Sequence, residues 1–181
     1  MSSLMNHAAE QPAKIGSQEI TIRILCLGNE LLADDSLGSV VAEHIRQFAA
    51  PDVEVISTPE TGFHLLDYVL NIRRLLVVDT IVTGASPPGT IYAFPEHELK
   101  AVPGGSPHYV GLYETLALAR QLGLPVAEEV VFLAVEASDR LTLGGAMHSA
   151  VVAAIPPLIS MVRDWLRVGA DLPAKKMQAA A

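Results

Sequence analysis

The sequence predicts an α/β fold in which a mostly parallel sheet is covered by helices on both faces, and three observations predict it. Short runs rich in β-branched and apolar residues alternate with segments whose apolar residues recur three and four positions apart. Half of the 181 residues are apolar and 18% are charged, which is enough to bury a core and unlike a disordered chain. No internal repeat is present, and the length suits one domain, expected over residues 19–169. Residues 1–18 and 170–181 are polar or alanine-rich without strand or helix patterning, and are expected to be flexible tails.

The elements follow in order. The run from Ile20 to Gly28 (ITIRILCLG) reads as a strand buried on both faces. A polar loop from Gly28 to Ser36 leads into a helix with Leu37, Val40, Val41, His44, Ile45 and Phe48 on one stripe. Pro51-Asp52 breaks that helix, VEVIS is a second strand, and FHLLDYVLNI from Phe63 has the spacing of a second helix. RRLLVVDTIV is a third apolar strand, closed by GASPPG, and TIYAF is a short strand suited to an antiparallel edge. The Gly/Pro-rich VPGGSPH precedes a helix starting at Gly111, and EVVFLAVEA is the last strand. The segment from His148 has helical spacing but holds Pro156-Pro157, where a kink or two abutting helices are expected, because proline removes a hydrogen bond and clashes with the turn before it.

Composition excludes several functions. The net charge of -8 argues against nucleic-acid binding. The single cysteine, Cys26, allows neither an internal disulfide nor a multi-thiolate zinc site and reads as a small core residue in a reducing compartment. No stretch reaches the roughly 18 uninterrupted apolar residues of a membrane span, and no signal-peptide run opens the chain, so a cytoplasmic location without membrane contact is expected. The loop after the first strand lacks G-x-G-x-x-G and G-K-[ST], and its acids would repel phosphate. Neither G-x-S-x-G nor H-E-x-x-H is present, and Asp79-Thr80-Ile81 lacks the glycine of an aspartic-protease turn.

In open parallel α/β sheets ligands sit beyond the carboxyl ends of the strands. Two acidic segments fall there: Asp34-Asp35-Ser36 after the first strand, and Asp79 near the end of the third. Helix capping accounts for part of the first segment, yet three consecutive capping types exceed what one helix needs, so a carboxylate is left for another task. Asp79 follows LLVV and requires a cation or strong donors nearby, unless it is simply a turn residue. Among the six histidines, His44 and His64 fall in helices and suit partly buried structural roles, whereas His108 ends a Gly/Pro-rich loop, where sites on such scaffolds are built. Two carboxylates and an imidazole would leave an open position on a borderline ion such as nickel or zinc.

Three segments together, ILCLGNELLADDSLG, LLVVDTIVTGASPPGTI and SPHYVGL, resemble the maturation endopeptidases of nickel-iron hydrogenases in order and approximate spacing. The resemblance implies a three-layer α/β/α fold with a mainly parallel central sheet, and Asp35, Asp79 and His108 as metal ligands and catalytic residues. It also implies a substrate contact at Gly62, where ETG replaces a more glycine-rich stretch, and Ser36 stands where glycine is common. The implied substrate is a hydrogenase large-subunit precursor that loses its C-terminal extension once nickel is inserted. The metal either anchors the scissile bond as the substrate's own nickel or acts as a hydrolytic cofactor, and the chain is expected to work as a monomer. A non-enzymatic nickel chaperone using the same residues is the alternative.

Overall fold

The computed structural model describes residues 20–101 and 107–168, the side chains at 99–110 excepted. The expected tails, 1–18 and 170–181, lie outside the described residues, as do residues 19 and 169 of the expected domain and the side chain of His108. The chain builds β1 (Ile22–Leu27), α1 (Leu37–Arg46), β2 (Val53–Thr58), α2 (Leu66–Val69), β3 (Arg74–Ile81), β4 (Ile91–Pro95), α3 (Pro107–Gln121), β5 (Glu129–Glu136) and α4 (Ser149–Val168). One sheet runs in the order β2-β1-β3-β5-β4, parallel throughout except for β4, which pairs antiparallel with β5 at the edge as expected.

The strands form because near-continuous apolar runs can be buried on both faces only between two helical layers. Leu25, Leu27, Leu75, Val77 and Phe132 pack with Leu65, Val69, Leu112 and Leu116 under α2 and α3. Ile24, Cys26, Leu76, Val78 and Leu133 pack with Val41, Ile45, Leu158 and Trp165 under α1 and α4. That is the three-layer α/β/α arrangement. Burial pushes the Cys26 thiol up to about 12, consistent with a core residue rather than a nucleophile.

Two helices differ from the sequence expectation. The segment from Phe63 forms a 3-10 turn, Gly62–Leu65, and only four α-helical residues. It stops because Leu70 is extended and bridges to Val126 while Asn71 takes a left-handed φ of 58°. Of the kink or two abutting helices expected at Pro156-Pro157, two helices are not formed: both prolines lie inside one continuous α4. Both prolines and the preceding Val152 and Ala153 are on the exposed side, so carbonyls that lose an N–H partner can turn to water. Although α4 is long and apolar enough to span a membrane, Val151, Ala154, Leu158, Val162 and Trp165 form a buried stripe against the domain.

Candidate functional site at the switch point of the sheet

From β1 the chain goes outward to β2, then returns to place β3 on the other side of β1. The carboxyl ends of β1 and β3 therefore flank the point where connections diverge, which is where a crevice opens in such sheets. Two glycines bring the loop after β1 close to this edge. Gly28 has φ 135°, and a Cβ on it would lie 2.1 Å from the Asp35 carbonyl oxygen. A Cβ on Gly38 would lie 2.2 Å from the carbonyl oxygen of Leu27. Only backbone without side chains lets α1 begin so near the end of β1.

The adjacent acids have different roles in this geometry. Asp34, wholly buried, accepts hydrogen bonds from three backbone N–H groups: Ser138 at 2.7 Å, Asp139 at 2.8 Å and His148 at 2.6 Å. It ties the loop after β5 to the loop after β1. Neither it nor Asp35 caps α1: Ser36 is the N-cap residue, and its hydroxyl donates to the Ala33 carbonyl at 2.6 Å. The capping expectation is corrected accordingly, because buried N–H groups of a distant loop hold Asp34 instead.

Asp35 is 6% exposed and turns the other way. Its Oδ2 accepts from the Asn29 N–H at 2.8 Å and its Oδ1 from the Thr80 hydroxyl at 3.0 Å. Thr80 N–H donates to Asp79 Oδ1 at 2.7 Å. One threonine thus touches both carboxylates. Asp79 is buried and lies within β3 rather than in a turn after it, since the strand continues to Ile81. By strand alternation it continues the row of Leu75 and Val77 on the face covered by α3.

His108 belongs to the first turn of α3, not to the preceding loop, with Pro107 at the helix start where its missing N–H costs nothing. Gly62 meets the same helix: a Cβ on Gly111 would fall 2.4 Å from Gly62 Cα, and Thr115 Oγ1 donates to the Gly62 carbonyl at 3.0 Å. Gly62 itself has φ 60° with open space where a side chain would be. Among the described residues no three metal-binding side chains form a group. His44, His64, His97 and His148 are exposed, so the partly buried roles expected for His44 and His64 are not adopted.

Thr80 and Arg140 were missed in the sequence. Arg140 Nη1 donates to the Thr80 carbonyl at 3.3 Å, bringing a cation to the end of β3. The only advance signal for Thr80 was its place beside Asp79; Arg140 reaches β3 solely through tertiary structure. Two clefts, of about 530 and 580 Å³, lie at the amino ends of the strands, by Glu129 and by Ile22 and Val53.

The fold and its acidic switch point place the molecule among α/β proteins that work at the carboxyl edge of the sheet. Residues 39–165 match the family model described as "Hydrogenase maturation protease". Hydrogenase 2 maturation protease of Escherichia coli is 33% identical over 106 residues, 56% of this chain and 65% of that protein's length. The hydrogenase expression/formation protein HupD of Bradyrhizobium diazoefficiens is 30% identical over 161 residues, 86% of this chain and 77% of its own. The solved hydrogenase maturating endopeptidase HybD from E. coli superimposes with a TM-score of 0.72 at 27% identity, covering 81% of this chain and 92% of that one. The chain belongs to the hydrogenase maturation protease family, and is by that membership a peptidase.

Proposed function

We propose that the protein removes the C-terminal extension of a nickel-iron hydrogenase large-subunit precursor after nickel insertion, using Asp35, Asp79 and His108 to grip the nickel that the precursor carries. The observation that supports this most is the division of labour in the acid pair. Asp34 is committed to the loop after β5, whereas Asp35 is joined through Thr80 to Asp79 at the switch point. Among the described residues each Asp35 oxygen accepts one hydrogen bond, and a carboxylate oxygen has a further lone pair that could face an ion. Two carboxylates and an imidazole make a donor set suited to a borderline divalent metal.

Asp35, Asp79 and His108 would hold such an ion at this edge, where it would position the scissile bond and supply Lewis-acid chemistry to its carbonyl. Hydrolysis then adds the oxygen of water to the carbonyl carbon and a proton to the departing amine. The chain's own residues bind and orient. Thr80 and the Asn29 N–H fix Asp35, the Thr80 N–H fixes Asp79, and the open side of Gly62 leaves room for the precursor to pass. Weak oxygen ligands release the mature subunit. The lone, buried thiol of Cys26 supports a cytoplasmic setting.

Incubation with precursor made with and without nickel, in excess chelator, followed by mass spectrometry, tests this. A shortened large subunit only from the nickel-loaded form is expected. Equal cleavage of both forms would remove nickel as the anchor, and loss of nickel without shortening would make the protein a nickel carrier.

A further inference from the structure

Beside the acids, residues 31–33 and 142–144 form a two-stranded antiparallel ribbon outside the main sheet, centred on a bridge between Leu32 and Leu143. Its bonds are Ala33 N–H to the Thr142 carbonyl at 3.1 Å and Gly144 N–H to the Leu31 carbonyl at 2.8 Å. These bonds flank the pair rather than join it. In an antiparallel ladder, residues of such a pair direct their own N–H and C=O away from the partner strand. The amide and carbonyl of Leu143 therefore face outward, and among the described residues neither makes a hydrogen bond. The side chain is also open, 74% exposed, as are Leu141 on its own segment and Leu31 on the facing one. Asp34, the residue immediately before Asp35, ties the flanks of this ribbon down through Ser138, Asp139 and His148.

We infer that the outer edge of this ribbon is a docking rail for the precursor: an extended segment next to the cleavage point pairs its main chain with Leu143 and packs an apolar side chain on the Leu143 side chain. An outward donor and acceptor on one residue match the backbone of an extended peptide, the chemistry of strand addition. An exposed leucine between them selects an apolar neighbour over a charged one. A second copy of this chain on the same rail would cover the acidic edge, so the occupant that fits a working protease is its substrate. The assignment rests on the proteolytic role proposed above and adds the residue that determines register and side-chain preference.

Two measurements on the full chain with nickel-loaded precursor decide it. In Leu143→Ser, KM for the precursor should rise about tenfold while kcat changes less than about twofold, whereas Leu122→Ser, an exposed leucine on the far end of the α3 region, should leave both unchanged. In hydrogen exchange, the Leu143 amide should exchange quickly in the free protein and slowly under saturating precursor. Cleavage by the wild type with an unprotected Leu143 amide and an unchanged KM in Leu143→Ser would overturn the rail and leave the protease intact. Precursor that binds and protects Leu143 but is never cut would sustain the rail and overturn the protease. Absence of binding by the wild type would overturn both.

Discussion

Thr80 is the residue on which the site turns, because its hydroxyl and its amide each hold one of the two acids. Thr80→Val keeps the shape but leaves Asp35 Oδ1 without its donor inside the protein, a loss of about 1–3 kcal/mol. Processing should fall roughly 10- to 100-fold, as when a group orienting a ligand is removed, while Thr80→Ser retains most activity. Rate assays on both variants check this, and equal rates would mean the hydroxyl is not what orients Asp35. Asp34 makes the opposite prediction. Asp34→Ala strands three backbone N–H groups and should cost about 3–5 kcal/mol, read as a drop in the urea midpoint. A midpoint shift no larger than the ~1 kcal/mol of a lost helix cap would contradict the clamp. Local sequence gives the two acids the same chemistry, and only the fold shows that Asp34 faces the loop after β5.

At the scale of elements, the strands were legible because a run such as Ile24–Leu27 or Leu75–Val78 has no stable place except between two helical layers. The edge strand was legible too, since TIYAF is short and follows a Gly/Pro turn. Helices were less so. FHLLDYVLNI satisfies a helical period, but the bridge from Leu70 to Val126 and the left-handed Asn71 end it early, and neither constraint is local. Pro156-Pro157 carried a local rule for breakage that α4 escapes by setting both rings on its exposed side. The junction of β1 and α1 is a tight contact of elements at the site. In Gly38→Ala the new methyl would meet the Leu27 carbonyl at 2.2 Å, and neither backbone can yield cheaply. The variant should lose about 3 kcal/mol or more in urea unfolding and lose processing with it. Unchanged stability would show that α1 does not need so close an approach.

At the scale of the molecule, the strand order brings the ends of β1 and β3 side by side, and this turns residues distant in sequence into one acidic edge. The side chain of His108 lies outside the described residues, whereas the position of Asp35 and Asp79 at strand ends, joined in the fold through Thr80, was legible. Their supports, Thr80 and Arg140, were not, because contacts of that kind exist only after the sheet has assembled. Asp35 and Asp79 are buried at the carboxyl end of the sheet, so loss of chemistry has to be read beside stability in each variant. The most direct measurement is processing of nickel-loaded precursor by Asp35→Ala, Asp79→Ala and His108→Ala, each paired with its urea midpoint. All three should retain a cooperative unfolding transition and fail to shorten the large subunit. A folded His108→Ala or Asp35→Ala protein that cuts at the wild-type rate would contradict the nickel-gripping site.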